Sequence, residues 1–272
     1  MGIAFSPIFV RLSEIGPIAT AVHRVTLALP PLFLLAAIDR GAQRRPARRS
    51  DVVGLGLAGF FFAGDLAFWH LSVLYTSVAN ATLFANFASI WVTLAGWLFF
   101  GERYTRTFLG GMGLGLAGAV VLMGGSMTVS TTHLLGDGLG IVTAMFYAGY
   151  ILVLARLRQV FSATTIMAWS SIVSGILLLI LALLVGEDLL ASTVRGWAVL
   201  LGLAWISHAG GQTLIAQALA HLPPAFSSVT LLIQPVTAAL LGWLLLAEPL
   251  GPVQALGGAL VLAGIWTARR GS

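Results

Sequence analysis

The chain contains no cysteine and no lysine, and only 8% of its 272 residues are charged. Without cysteine there are no disulfides and no thiolate metal centres, and the redox compartment stays open. So little charge excludes an ordinary water-facing surface, since soluble domains carry about 25% charged residues. What is present instead is apolar: 58% of residues are hydrophobic and the mean hydropathy is +0.99. Apolar runs of about 20 residues recur along the whole length, which is the pattern of a polytopic membrane protein. In lipid the backbone must satisfy its own polar groups, and runs this long do so as helices. The expected class is all-α. A secretory signal peptide is not evident; the first apolar segment belongs to the bundle.

A formal charge of +5 and a pI near 10.7 would ordinarily suggest nucleic acid. All 14 basic residues are arginines, however, and most sit in short loops between apolar runs. That placement follows membrane topology, so the bilayer is the expected partner and nucleic acid is not.

The runs predict ten spans, at 1–12, 17–38, 51–73, 78–100, 107–124, 137–155, 164–185, 196–217, 225–246 and 252–268. Residues 96–118, GWLFFGERYTRTFLGGMGLGLAG, reappear at 242–264 as GWLLLAEPLGPVQALGGALVLAG, an offset of 146. Gly96, Trp97, Leu98, Glu102, Gly111, Leu114, Leu116, Ala117 and Gly118 have identical counterparts. The offset pairs each of the first five spans with one of the last five, which makes the chain a tandem repeat. Residues 1–124 form the first five-helix repeat, 125–136 the linker and 137–268 the second repeat. Five is odd, so the second copy lies upside down relative to the first.

Arginine placement tests that orientation. With loop 39–50 in the cytoplasm, Arg40, Arg44, Arg45, Arg48, Arg49, Arg103, Arg106, Arg156, Arg158, Arg269 and Arg270 are inside. Only Arg11 and Arg195 are outside, and Arg24 is within a span. Both termini are then cytoplasmic. Two inverted five-helix repeats around a central cavity are a transporter architecture, with the substrate near the midplane. The first span is short: twelve residues rise about 18 Å against a core of about 30 Å. The repeat register expects about ten further residues ahead of Met1, or completion of this helix by another element.

The twin GWLFFGE and GWLLLAE segments, each followed by a glycine-rich helix, resemble the EamA-type drug/metabolite transporter superfamily. Phe9-Val10-Arg11, Pro17 and the His23-Arg24 pair fit the same pattern. The resemblance covers essentially the whole chain and is closest to bacterial amino-acid exporters of the YddG type. It implies ten helices, cytoplasmic termini, a central cavity and export without a nucleotide-binding domain.

Polar residues inside spans are costly and usually face a cavity or the bundle interior. Thr82, Asn86, Ser89 and Thr93 form one helical stripe in span 4, and Trp205, His208 and Gln212 form another in span 8. Span 6 adds Thr143, Tyr147 and Tyr150; span 3 adds Asp65 and Trp69, with His70 beside them. One reading is a pocket of amide and imidazole groups with aromatic walls. The other is that Ser, Thr and Asn join helices by hydrogen bonds. The candidate substrate contacts are Asp65, Trp69, His70, Asn86, Ser89, Tyr147, Tyr150, Trp205, His208 and Gln212. Asp65 is either a proton-coupling carboxylate or a structural partner of Arg24 or His70, and Arg24 either pairs or snorkels to the headgroups.

Glu102 and Glu248 stand at equivalent helix ends and are expected to fix turns. Pro7, Pro30, Pro31 and Pro235 interrupt helices, as hinges or as fixed kinks. Two G-x-G-x-x-G matches, at 54–59 and 113–118, follow no strand and are rejected as dinucleotide sites. Asn80-Ala81-Thr82 matches a glycosylation pattern but begins a buried span. The expectation is an inner-membrane secondary transporter, not an enzyme, with no cofactor, no metal and no catalytic residue. Its substrates are small metabolites, most of all large apolar or aromatic amino acids, and its expected assembly is a monomer. The competing reading is a proton-coupled exporter of cationic drugs.

Overall fold

The computed structural model describes residues 2–38, 46–124, 133–246 and 250–272. Arg40, Arg44, Arg45, Glu248 and most of the 125–136 linker lie outside the described residues. Among the described residues the chain is helical, without strands: α1 (Ser6–Arg11), α2 (Pro17–Thr26), α3 (Leu29–Ile38), α4 (Arg49–Tyr75), α5 (Val78–Ala85), α6 (Ala88–Phe100), α7 (Arg106–Gly124), α8 (Leu134–Leu157), α9 (Ala163–Val185), α10 (Val194–Gly202), a π-helical segment Leu203–Gln212, α11 (Thr213–Ala218), α12 (Pro224–Thr230), α13 (Ile233–Leu246) and α14 (Pro252–Gly271).

Among the described residues, eight helical stretches are long and apolar enough to cross a bilayer, against the ten spans expected. Gly2–Arg11 is too short, and α14 has the length but ends in Arg269 and Arg270, which dilute its apolar character. Large apolar side chains such as Leu184 (80% exposed) and Phe99 (77%) face outward, which water would penalise and lipid does not.

The chain forms two compact units, and neither is a sequence half. Unit 1 takes 72–148 and 222–272; unit 2 takes 2–71 and 149–221.

In unit 1 the centre is the pair α7 and α14, the two glycine-rich copies of the repeat. They run antiparallel, because Gly271 lies against Phe108, Gly264 against Gly111 and Gly115, and Gly257 against Gly118 and Leu122. A side chain at Gly118 would press on the Val261 amide at 2.6 Å and the Gly257 carbonyl at 2.8 Å. Small residues here let two backbones touch, which is how helices associate when lipid removes the usual hydrophobic drive. The turn after α6 shows what Gly96 and Glu102 do in the first copy. Glu102 takes a 2.5 Å hydrogen bond from the Tyr104 hydroxyl, and its amide bonds the Gly96 carbonyl at 3.0 Å. A Cβ at Gly96 would collide with that hydroxyl, so the glycine makes room for the glutamate. Burial and the adjacent Glu102 carboxylate raise the Tyr104 phenol above its ordinary range. Gly101 closes α6 at φ 66°, a left-handed cap.

At the other end, Thr76 and Asn80 both bond Asp137 (2.8 and 3.1 Å) and Ser72 bonds the Gly136 carbonyl. Asn80 is thus spent inside the fold, which agrees with its rejection as an acceptor for glycans.

In unit 2, α9 lies along α2 and α3. Glu187, just past α9, caps the start of α2 through the Ile18 and Ala19 amides (3.3 and 2.7 Å). Glu14 reciprocates from the loop before α2, accepting from Ser192 and from the Thr193 amide and hydroxyl. The Thr193 hydroxyl holds the Glu14 carboxyl below the usual carboxylate range. A depressed value means that this tie is complete above the ordinary carboxylate range and is lost only as pH falls through the lowered one.

The α2–α3 break falls at Leu27 and Ala28, and Pro30 and Pro31 lie in the first turn of α3 just beyond it. Pro31 has no amide hydrogen, so the Leu27 carbonyl loses its helical partner. The Trp205 indole takes that carbonyl at 3.1 Å. The break is therefore satisfied across helices rather than left open to a cavity. Trp205→Phe should strand the carbonyl and lower stability by about 1–2 kcal/mol, seen as a lower unfolding temperature in detergent.

Candidate functional site

A set of buried and half-buried polar groups in unit 2 comes from three elements. Arg24 sits on α2, Asp65 and His70 on α4, and His208 and Gln212 on the π-helical segment. Arg24 is 6% exposed, so it does not snorkel to the headgroups. Its charge reaches Asp65, His70 and His208 alike, and its guanidinium stands 6.0 Å from the Phe62 ring. Phe62 in turn stacks on His208 at 5.2 Å and meets Tyr150 at 4.8 Å. His208 Nε2 and the Ser171 hydroxyl share a 2.8 Å hydrogen bond, while the Tyr150 hydroxyl donates to Met167 Sδ at 3.2 Å. Asp65 is half-buried; His70 is fully buried, its ring edge-on to Trp69 at 5.1 Å.

Among the described residues, buried atoms without a hydrogen-bond partner include His208 Nδ1, Gln212 Oε1 and both ring nitrogens of His70 here, and the Ser6, Thr82, Thr213 and Ser227 hydroxyls elsewhere. Each such group costs about 1–3 kcal/mol unless something occupies it. His208 and Gln212 stand on adjacent turns of one segment.

The π winding explains why sequence spacing misplaced one member of the span 8 stripe. Residues 205, 208 and 212 share a face only at α-helical periodicity, and i→i+5 bonding turns the chain less per residue. His208 and Gln212 point inward (0% and 3% exposed), whereas Trp205 is 54% exposed and bonded to Leu27.

In unit 1 the span 4 stripe behaves differently. Asn86 Nδ2 donates to the Thr82 carbonyl (2.8 Å), and Thr93 donates to the Ser89 carbonyl (2.8 Å). Ser89 contacts the Asn86 carbonyl at 3.5 Å. Asn86, Ser89 and Thr93 thus bond backbone carbonyls close to them in sequence around the α5–α6 break. Thr93 also reaches Met112 Sδ on α7 at 3.5 Å, and the Thr82 hydroxyl is buried without a partner. Tyr147 is half-buried in α8, one residue inside unit 1.

Sequence reasoning passed over Phe62 and Ser171. Phe62 had a signal: it is the repeat counterpart of His208, 146 positions earlier. Ser171 had none, because a serine in an apolar helix looks the same whether or not an imidazole lies opposite. Among the described residues no group of His, Asp and Glu is arranged to hold a metal ion.

Comparison with known proteins agrees with a transport protein. The EamA-like transporter family model matches residues 1–124 and 134–269. An "Uncharacterized transporter" of Archaeoglobus fulgidus is 27% identical over 271 residues, 97% of this chain and 92% of that protein. A "Probable terminal-alkyne amino-acid exporter" of Streptantibioticus cattleyicolor is 27% identical over 270 residues, 98% of this chain and 89% of the exporter. A solved crystal structure at 17% identity superposes with a TM-score of 0.82, covering 98% of this chain and 93% of its own, and shows the fold alone. Family and relatives point to a transporter rather than an enzyme, with a small-molecule substrate and a multi-pass membrane location. The chain belongs to the EamA-like transporter family.

Proposed function

We propose that this protein is a secondary exporter of amino acids, large apolar or aromatic ones above all, working by alternating access in a bacterial-type inner membrane. The observation that carries the reading is the unit 2 constellation: a buried guanidinium 6.0 Å from the Phe62 ring, two buried imidazoles, an orphaned Gln212 amide oxygen on the His208 segment, and the Phe62–Tyr150 aromatic pair. An amino acid needs an anion partner, an ammonium acceptor and an apolar surface. Arg24 offers the first, Gln212 Oε1 and the Asp65 carboxylate the second, and Phe62, Trp69 and Tyr150 the third. The amino-acid exporter among the relatives supports the same class.

The reading keeps ten spans in two inverted repeats, with both termini cytoplasmic. Three features support it. In unit 1, α7 runs antiparallel to its own counterpart α14, and the Gly111–Gly264 contact maps by the offset of 146 onto Gly118–Gly257. In unit 2, α9 runs antiparallel to its counterpart α2–α3, and Phe62 stacks on its own counterpart His208. The α5–α6 break at 86–87 also corresponds to the α12–α13 break at 231–232. Contacts between equivalent residues of antiparallel elements are what a two-fold axis in the membrane plane produces.

The test is counterflow of amino acids in proteoliposomes, with and without a pH gradient. Flux should fall about tenfold or more in Gln212→Leu and His208→Ala, a loss of about 1.4 kcal/mol or more per contact. Unchanged flux in both folded variants rejects the site. The half-buried carboxylate of Asp65 favours a second reading, proton-coupled export of cationic drugs. That reading requires Asp65→Asn to abolish flux and its dependence on the pH gradient, whereas a facilitative amino-acid exporter retains flux.

A further inference from the structure

A cavity of about 800 Å³ opens in unit 2 where three membrane stretches stop together, at Leu157, Ala163 and Ala218. Ends of apolar stretches mark the headgroup level of a bilayer, so the cavity lies at that level. Its most polar wall residue is Arg158. The guanidinium donates through Nε to the Ala216 carbonyl at 2.9 Å and through Nη1 to the Phe161 carbonyl. Two backbone anchors fix the plane of the fork against the wall, so a ligand meeting it has little side-chain entropy left to quench. Exposed Gln217 and His221 add donors, and the named wall includes no carboxylate. Ala163 brings the positive end of the 23-residue α9 to the same wall. Beside these groups Leu214, 63% exposed, gives an apolar flank.

Fixed cation, neutral donors and an apolar flank at headgroup depth match one chemistry. We propose that this cavity binds a phosphate-bearing anion, with the phosphate on Arg158 and, where the ligand is a lipid, its acyl chains along Leu214. The site is separate from the Arg24 constellation and does not depend on which metabolite is exported. Basic pockets between spans are the usual way membrane proteins select anionic headgroups.

Thermal unfolding in nanodiscs tests it. In phosphatidylglycerol, against phosphatidylcholine, the wild-type chain should unfold about 3–5 °C higher, because a ligand of the folded state raises its melting temperature. Gln217→Glu, an exposed change that places a negative charge at the rim, should erase most of that shift, and Gln217→Ala should keep it. Arg158→Gln should erase it too; if that variant does not fold, the Gln217 pair still decides. A second arm adds millimolar inorganic phosphate to phosphatidylcholine discs. Stabilisation there that Gln217→Glu abolishes also supports the site and assigns it to a soluble phosphate. No shift in either arm, or a shift equal in wild type and Gln217→Glu, overturns the proposal.

Discussion

Gly264→Ala is expected to be among the most damaging single changes to this protein, costing about 3 kcal/mol or more and leaving Gly264→Val unable to fold. A methyl group at Gly264 would be driven into the amide and Cα of Gly115 and the carbonyl of Gly111. Those are backbone atoms of an antiparallel helix, and neither rotates away as a side-chain tip does. Overpacking a core normally costs about 1–3 kcal/mol because neighbours shift a little; here whole helices must separate. Gly111 and Gly118 stand against backbone of α14 in the same way and should respond alike. Gly113 is the internal control. It lies on the same helix with nothing within 4 Å of its absent side chain. Gly113→Ala should be neutral or stabilising by up to about 1 kcal/mol, since alanine is the better helix former. Tryptophan fluorescence during thermal unfolding in detergent measures all of these, and equal melting temperatures for the two alanine variants would reject the seam.

The second large effect is expected at Arg24. Removing its charge in Arg24→Ala takes away the cation whose field reaches Asp65, His70 and His208. Breaking a buried charge arrangement from one side costs about 3–5 kcal/mol, and the half-buried position of Asp65 puts the loss near the lower figure. Asp65→Asn alone should cost less, because Asp65 is only half-buried whereas Arg24 is 6% exposed. In the double variant the carboxylate no longer needs a cation, so Arg24→Ala/Asp65→Asn should be more stable than Arg24→Ala. A double-mutant cycle by thermal unfolding reads the coupling directly. Strict additivity of the two changes would show that the residues act independently.

Much of the scaffold was legible in the sequence because its causes are local or periodic. Apolar run length gave helices, and the offset of 146 paired the glycine stripes that the fold then packs face to face. Small residues four apart let helix backbones approach closely in lipid, so Gly111 and Gly115 signalled close packing before any partner was known. The eight qualifying stretches fall short of ten at Gly2–Arg11 and α14, where length or charge departs from the apolar rule itself.

The candidate site was legible only in part. His208 and Gln212 stood out because polar groups in apolar spans are rare. Trp205 was put beside them on α-helical spacing, and the π winding undid that geometry. Arg24 read equally well as a snorkelling residue, since depth along a span does not say which way a long side chain turns. Asn86 and Ser89 looked available, but their bonds are made within the same helix at the α5–α6 break.

The sequence by itself determined the solvent, the helical class, the duplication and the family. The first three follow from composition or from comparison of the chain with itself, and the family from the resemblance that the twin GWLFFGE and GWLLLAE segments carry; none of these needs coordinates. Only the tertiary structure decided how the duplicated helices combine. Repeat counterparts pack on each other, α7 on α14 and α9 on α2–α3, so the compact units are not the halves 1–124 and 137–268 but composites of both. The physical reason is that a helix rich in small residues finds its best-fitting surface on another with the same stripe, and in a duplicated chain that helix is its own copy.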